Sequence, residues 1–121
     1  MKILVAEDDA IMRESIIYML KIDGYKVIIA ENGREAMDIF QADIPDLVIT
    51  DILMPFNSGL EFINVIRNSS PNVPVIVLSA LDEEDTVMEA FNLGADDFLT
   101  KPVKQEELSI RVKRLLKKRP R

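Results

Sequence analysis

The segment Ile3-Leu4-Val5-Ala6-Glu7-Asp8-Asp9 joins an unbroken apolar run to three consecutive carboxylates. Continuous apolar runs of this length are typical of parallel strands that are buried on both faces. Comparable runs recur along the chain, the last of them weaker than the others, at residues 27–30, 47–49, 75–78 and 98–99. The sequence therefore predicts five parallel strands, the first of which ends directly before the acidic residues.

Helical patterns fill the intervals between these runs. Apolar side chains three or four residues apart share one helical face in each interval, as in Met12, Ile16 and Leu20; Ala36 and Phe40; Leu60, Ile63 and Ile66; and Leu108, Val112 and Leu115. Strands that alternate with helices over short connections form a parallel sheet with helices on both faces, because each crossover is right-handed. The predicted fold class is a doubly wound α/β domain.

Turn and capping residues agree with this alternation. The tripeptide Asp23-Gly24-Tyr25 predicts the end of the first helix, and Asn32-Gly33 predicts the start of the second. Asp82, with Asp85 three residues later, predicts the cap of the fourth helix.

Length and composition limit the possibilities. With 121 residues and 48% hydrophobic content, the chain is long enough for one buried core and too short for two ordinary domains. We therefore expect one domain over residues 1–121, with 117–121 as the possible start of a linker. The absence of Cys and His excludes thiol chemistry, zinc or haem ligation by those residues and a Ser-His-Asp triad. No signal peptide or membrane span is expected, so we predict a cytoplasmic protein.

The net charge of -6 is unevenly distributed. From Lys104 onward there are eight basic and two acidic residues, whereas the rest of the chain has seven basic and nineteen acidic ones. An acidic body disfavours direct binding to nucleic acid, because such binding depends largely on basic groups that neutralise phosphates. The basic end is interpreted as a solvated helix terminus that the helix dipole favours.

Polar residues follow the predicted strands where each strand ends. Glu7 and Asp8 follow the first strand, Asp51 the third, Ser79 the fourth and Lys101 the fifth. In an open parallel sheet, ligands bind beyond the carboxyl ends of the strands. We therefore expect these side chains to meet at one edge.

Clustered carboxylates predict a bound cation, since they repel one another and lose hydration when they are brought together. Oxygen ligands with open positions for water and phosphate favour Mg²⁺, and Mn²⁺ should substitute. Taken alone, Glu7-Asp8-Asp9 could instead cap the next helix, which is the only role expected for Asp9. Asp51 alone could equally be an ordinary residue at the end of a strand.

Three motifs together resemble the response-regulator receiver family of two-component signalling, over essentially the whole chain. They are Ile3 to Asp9, the segment Asp46-Leu-Val-Ile-Thr-Asp51-Ile-Leu-Met-Pro55, and the segment Gly94-Ala-Asp-Asp-Phe-Leu-Thr-Lys101-Pro102. The resemblance implies a flavodoxin-like (βα)5 fold with five parallel strands in the order 2-1-3-4-5. It also implies a domain that catalyses only its own phosphorylation and dephosphorylation.

The same resemblance implies roles for the residues at the strand ends. Asp51 would be phosphorylated by a sensor histidine kinase or a small phosphodonor. Asp8 and Asp51 would ligate Mg²⁺ with the backbone carbonyl of Leu53, while Glu7 would act mainly through a bound water. Lys101 would pair with Asp51 and then with the phosphoryl oxygens, and its peptide bond to Pro102 would be cis.

A switch and an output surface also follow from the resemblance. Ser79 would turn toward the phosphoryl group and Phe98 would turn inward, although an ordinary core position is the alternative for Phe98. The coupled surface would comprise the helix around 82–93, the strand at Phe98 and the helix at 105–118. Because both are apolar, Leu53 and Leu81 suggest slow self-dephosphorylation.

The last third of the chain is similar to the subfamily whose receivers pair through this surface and carry a winged-helix DNA-binding domain. A homodimer would use Asp97, Glu107 and Arg111, and the output would be transcription regulation. Thr86 stands where that subfamily usually has a basic partner for Glu107, which argues against the complete set of intersubunit ion pairs. No membrane partner is expected.

Other functions remain as alternatives. A standalone receiver would act through protein–protein contacts alone. A flavin-binding electron carrier of similar topology would need a phosphate-binding loop where Glu7-Asp8-Asp9 stands, and these acids would repel a phosphate. A Mg²⁺-dependent phosphohydrolase with an aspartyl nucleophile would need a cap over its substrate and a second acid, for which 121 residues leave little room.

Overall fold

The computed structural model describes residues 1–54, 59–80 and 83–118. Its five strands are β1 Lys2–Ala6, β2 Lys26–Ala30, β3 Leu47–Asp51, β4 Val75–Ser79 and β5 Asp97–Thr100. Its five helices are α1 Ala10–Ile22, α2 Gly33–Ala42, α3 Gly59–Ser69, α4 Glu84–Leu93 and α5 Gln105–Lys118. Strand and helix alternate through the described residues, as predicted.

All paired strands are parallel, and the sheet has the order β2-β1-β3-β4-β5. The predicted flavodoxin-like fold and strand order are therefore confirmed. Strand order reverses beside β1, which pairs with β2 on one side and with β3 on the other. The carboxyl ends of β1 and β3 thus lie next to each other at the position where such sheets bind ligands.

Two apolar cores lie on opposite faces of the sheet. One contains strand residues such as Leu4 and Val48 together with side chains of α2, α3 and α4, including Phe40 and Phe62, whose rings meet edge to face at 5.9 Å. The other contains the alternate strand residues and the inner sides of α1 and α5. Each central strand is buried on both faces, which explains its continuous apolar sequence.

Helix ends follow the predicted signals with one correction. Asp9 caps α1 by accepting hydrogen bonds from the amides of Ile11 and Met12, and Asn32 caps α2 by accepting from the Glu35 amide. The predicted cap of the fourth helix, Asp82, lies outside the described residues. The helix itself begins at Glu84, and Glu83 occupies its capping position without a side-chain capping bond. The observed capping position is therefore one residue later than predicted.

Two further predictions concern single features of the chain. The Lys101–Pro102 peptide bond is cis. None of the helices within 1–54, 59–80 and 83–118 combines the length and the apolar character that a membrane crossing requires.

Candidate functional site

The structure brings carboxylates from two loops together at the carboxyl edge of the sheet. One carboxylate oxygen from each of Glu7, Asp8 and Asp51 lies within 4.8 Å of the other two. Glu7 is fully buried and Asp51 is 5% exposed, whereas Asp8 is open to solvent. The edge therefore combines two desolvated acids with one that faces the outside.

Strand register explains why these residues meet. Ala6 of β1 stands opposite Thr50 of β3, so the next residue on each strand, Glu7 or Asp51, falls at the same level of the sheet. The Glu7 amide also donates to the Ala30 carbonyl at 3.1 Å, which extends the pairing with β2 by one residue. The acids that follow Ala6 and Thr50 on these two adjacent parallel strands therefore lie close together.

Lys101 reaches this acidic cluster from the loop after β5. Its Nζ lies 2.7 Å from Asp51 Oδ2 and 2.9 Å from Glu7 Oε1. The Lys101 amide donates to the Ser79 carbonyl at 2.8 Å, which anchors the base of this side chain to the end of β4. A single ammonium group is therefore shared by two buried carboxylates, and Asp8 adds a third negative charge beside them.

Burial and mutual repulsion shift the pKa values of this group. Burial raises the pKa of Glu7, the close contact with the Lys101 ammonium group opposes that rise, and the charge of Asp51 adds to it. Partial desolvation raises the pKa of the otherwise exposed Asp8, and the neighbouring Glu7 is the next cause. Burial by itself would lower the pKa of Lys101, but its hydrogen bond to Asp51 and its close contact with Glu7 raise it overall.

The donor set fits a hard divalent cation. Glu7 Oε1 is buried and makes its ion contact with Lys101 without a hydrogen bond of good geometry. Three carboxylates with one under-satisfied oxygen are suited to an oxygen-ligated dication that would neutralise their excess charge. The amide of Leu53 donates to Asp51 Oδ1 at 3.4 Å, which places the Leu53 backbone beside the same carboxylate.

Ser79 and Phe98 lie on the neighbouring strands β4 and β5 and line one groove. Ser79 is buried at the end of β4, opposite Thr100 in the register with β5. Phe98 is 37% exposed and meets Phe91 of α4 edge to face at 6.0 Å, so an ordinary core position for Phe98 is excluded. A groove of about 390 Å³ lies between these two strand residues and α4, with Met88 on its wall.

The predicted interface residues form an ion-pair network within the single chain. Arg111 Nη1 lies 2.9 Å from both carboxylate oxygens of Asp97, and its Nη2 lies 3.4 Å from Glu107 Oε1. Arg114 also contacts Asp97, at 2.6 Å, and was missed by the sequence analysis. Its position one helical turn after Arg111 is the signal that would have found it. Thr86 lies half-buried on α4.

Arg13 is a second residue that the sequence analysis missed. It lies on α1, and its Nη1 donates to the backbone carbonyl of Glu7 at 2.9 Å. The predicted residues Pro55 and Leu81 and the end of the chain at 119–121 lie outside the described residues.

Comparisons with known proteins place this geometry in context. The family model described as response regulator receiver domain matches residues 3–113. Response regulator MprA of Mycolicibacterium vanbaalenii is 40% identical over 117 residues, which cover 97% of this chain and 51% of MprA. The alkaline phosphatase synthesis transcriptional regulatory protein SphR of Synechococcus elongatus is 36% identical, with 97% and 49% coverage. The chain spans about half the length of the curated relatives it matches.

Solved structures of similar proteins have the same fold as this chain. A response regulator receiver domain protein from Clostridium thermocellum superposes with a TM-score of 0.90 at 34% identity, over 96% of this chain and 94% of that one. The receiver domain of the Francisella response regulator 1452 gives a TM-score of 0.87 at 36% identity, with 96% of each chain covered.

Proposed function

Because the chain belongs to the response regulator receiver domain family of two-component systems, we propose that it is a phospho-accepting switch in which Asp51 receives the phosphoryl group. Receiver domains interact with sensor histidine kinases, and response regulators are generally signalling proteins rather than enzymes. The observation that carries the proposal is the position of Asp51, whose carboxylate lies among Glu7, Asp8 and Lys101 at the carboxyl edge of the sheet.

Asp51 is the best-placed nucleophile of this group. In the proposed step, one of its carboxylate oxygens forms a bond to phosphorus while the bond between phosphorus and the donor breaks, and the donor group leaves in line. A histidine kinase would supply phosphohistidine, and a small donor would supply an acyl phosphate. The Lys101 ammonium group then follows its charge partner, moving from the Asp51 carboxylate to a phosphoryl oxygen.

Receiver domains bind Mg²⁺ through an acidic pocket, and this chain has an acidic cluster at the corresponding edge. We propose that Asp8, Asp51 and the Leu53 carbonyl hold the ion, with Glu7 acting mainly through a water, and that Mn²⁺ can replace it. When bound, the ion supplies neutralisation of the charge on the transferring phosphoryl group. Glu7 and Lys101 would remain an ion pair beside the bound ion.

The switch is proposed to run through Ser79 and Phe98. A phosphoryl group on Asp51 adds acceptor oxygens that the buried Ser79 hydroxyl can reach by a movement of its loop. Movement of Ser79 would alter the adjacent groove and allow the half-exposed Phe98 ring to turn into it. The surface formed by α4, β5 and α5 would then present a different face to an output region or a partner.

We propose transcription regulation as the output, because the similar SphR is named a transcriptional regulatory protein and extends well beyond the matched region. A cytoplasmic location accompanies this proposal. A receiver that acts through protein–protein contacts alone is the alternative. The sequence downstream of Arg121 in the gene separates the two, since an encoded winged helix supports the first and a stop codon supports the second.

Phosphoryl labelling tests the proposed function directly. We expect acetyl phosphate with Mg²⁺ to add one phosphoryl group to the intact protein, as measured by mass spectrometry, and the Asp51→Asn variant to remain unlabelled. Asp38→Asn is a matched control, because Asp38 is an exposed acid on α2 away from the strand ends. Labelling of the Asp51→Asn variant at the wild-type level would refute the proposal.

A second assay separates a switch from a phosphohydrolase. A switch consumes about one donor per chain before its own slow hydrolysis, whereas a phosphohydrolase turns over phosphate esters continuously. We expect no sustained release of phosphate from p-nitrophenyl phosphate.

A further inference from the structure

Arg13 contacts the loop that carries Asp8, a proposed Mg²⁺ ligand, and Glu7, which is proposed to act through a bound water. Its side chain is only 11% exposed, although it lies on the first turns of a surface helix. Its Nη1 donates to the Glu7 carbonyl at 2.9 Å, and its Nη2 lies 3.5 Å from Glu31 Oε1. The Glu7 carbonyl belongs to the peptide unit that joins Glu7 to Asp8, so this guanidinium group holds the backbone between the two acids.

The loop is already anchored on both sides of that peptide. Before it, the Glu7 amide donates to Ala30 of β2 at 3.1 Å. After it, the Asp9 side chain caps α1 and the Asp9 amide donates to Glu7 Oε2 at 3.2 Å. The Glu7–Asp8 peptide lies between these anchors, and its carbonyl accepts the hydrogen bond from Arg13.

The acceptor on the far side of Arg13 is the carboxylate of Glu31, a residue whose backbone is anchored. Glu31 follows β2, and its amide donates to Glu35 Oε1 at 3.1 Å at the start of α2. The Glu31 side chain is 63% exposed, so the carbonyl of the buried Glu7 is the better fixed of the two acceptors that the planar guanidinium fork addresses. Arg13 therefore links the Glu7 carbonyl to the first turn of α2.

The type of contact matters for metal binding. In the described residues, the Arg13 contact at this loop is to a backbone oxygen and not to the carboxylate of Glu7 or Asp8. It can therefore orient both acids without neutralising the negative charge that a dication requires. Lys101, in contrast, pairs with the carboxylates themselves.

We propose that Arg13 is a positioning residue for the Mg²⁺ site, which it serves by fixing the peptide between Glu7 and Asp8 so that both carboxylates converge on Asp51. The inference rests on the proposed function, since it assumes that this acidic cluster binds Mg²⁺. Partners that orient ligands without touching the metal typically contribute ten- to a hundredfold to metal affinity. Loss of Arg13 should therefore act on Mg²⁺ affinity more than on the chemistry at Asp51.

Isothermal titration calorimetry of the full chain with MgCl2 tests this. We expect Arg13→Met, which keeps the apolar part of the side chain, to raise the Kd for Mg²⁺ by about tenfold. Arg34→Met is the matched control, because it removes the same charge from an exposed position on α2 and should change the Kd by less than about twofold. An unchanged Kd in Arg13→Met, or an equal rise in both variants, would overturn the inference.

A kinetic measurement separates positioning from a general structural effect. With acetyl phosphate as donor, we expect the Mg²⁺ concentration at half-maximal labelling to rise about tenfold in Arg13→Met, while the maximal rate at saturating Mg²⁺ stays near the wild-type rate. A loss of maximal rate with unchanged Mg²⁺ dependence would refute positioning.

Arg13→Lys covers the case in which Arg13→Met does not fold. A lysine keeps the charge but cannot serve two acceptors from a rigid fork, so we expect a smaller rise of about threefold in the Kd for Mg²⁺. A wild-type Kd in a folded Arg13→Lys would count against the inference. If the wild-type chain itself binds no Mg²⁺, the proposed function fails; if it binds Mg²⁺ and the Arg13 variants match it, only the inference fails.

Discussion

Lys101 illustrates how much of the candidate site depends on one side chain. It is the cation between two buried carboxylates, and its ammonium group lies within 3 Å of an oxygen from each. Removing one partner from a buried ion pair is costly because the remaining charge is left uncompensated. In this site two charges would be left, beside a third on Asp8.

We therefore expect Lys101→Met to lower the free energy of unfolding by roughly 2–3 kcal/mol in the presence of EDTA. Saturating Mg²⁺ should restore part of this loss, because a dication can neutralise the same carboxylates. Urea denaturation with and without Mg²⁺ measures both quantities. Lys104→Met, at an exposed position nearby, is the control and should be close to neutral. An effect of Lys101→Met no larger than the control would contradict this account.

The raised pKa of Glu7 predicts an unusual pH dependence. A carboxyl group whose pKa is raised by folding contributes stability below its ordinary value of 4.5, and this contribution is lost as pH rises through the raised pKa. In the metal-free protein, the stability of wild type relative to Glu7→Gln should therefore increase as pH falls from 7 toward 5. Urea denaturation in EDTA at pH 7 and pH 5 measures this difference in stability. A smaller relative stability of wild type at pH 5 than at pH 7 would contradict the prediction.

The same protons should compete with Mg²⁺. Since Glu7 and Asp8 both have raised pKa values, they hold protons at a higher pH than ordinary carboxyl groups do. The stabilisation that Mg²⁺ provides should accordingly shrink between pH 7 and pH 5. Thermal unfolding with and without Mg²⁺ provides the check on this expectation.

At the scale of elements, α3 begins directly against the end of β3. The Gly59 amide donates to the Ile52 carbonyl at 2.7 Å, and a methyl group on Gly59 would overlap the Asp51 carbonyl oxygen and lie 2.8 Å from Ile52 Cα. These neighbours are backbone atoms, which cannot rotate away as a side chain can. The first residue of α3 thus limits where the Asp51 backbone can lie.

Gly59→Ala should therefore displace Asp51 as well as destabilise the fold. We expect a loss of about 1–3 kcal/mol in unfolding free energy and a slower rate of Asp51 labelling by acetyl phosphate. Gly24→Ala is the contrasting control: it strains a backbone with φ of 87° but meets no atom within 4 Å. That variant should lose stability only and keep the wild-type labelling rate. Unaltered labelling in Gly59→Ala would exclude the steric account.

At the scale of the whole molecule, the surface of α4, β5 and α5 is where a second copy is predicted to bind. Arg111 and Arg114 both already pair with Asp97 within the single chain. Any intersubunit ion pairs at this surface would therefore replace or extend existing contacts. Such an exchange would give phosphorylation a way to shift the monomer–dimer balance, because it would replace existing ion pairs rather than require wholly new ones.

We expect the chain to be monomeric without a phosphoryl group and to dimerise with Mg²⁺ and beryllofluoride, which mimics phosphorylation. Sedimentation velocity measures the change. Arg111→Ala should weaken the dimer by about tenfold, because a charge pair at the interface is lost, whereas Arg34→Ala should not. A chain that stays monomeric with beryllofluoride would exclude this surface as a phosphorylation-dependent dimer interface.

The sequence alone determined the alternation of strands and helices and the polar residues that follow the strands. Apolar runs with carboxylates after them, helical stripes between them and capping residues such as Asp9 and Asn32 are all local patterns. Local patterns report burial and hydrogen bonding along one element, so they were enough to predict five parallel strands and an acidic edge that contains Asp51. The cap of α4 was placed one residue too early, because Asp82 is a typical capping residue whereas the observed position, Glu83, makes no side-chain capping bond.

Only the tertiary structure decided which side chain meets which across the fold. The bond from Arg13 to the Glu7 carbonyl and the sharing of Lys101 between Glu7 and Asp51 depend on how loops from separate strands approach each other. The partial exposure of Phe98 depends on how α4 packs over β5. Such contacts join residues far apart in the chain, and a distance of a few ångströms is set by the packing of whole elements rather than by any pattern within one of them.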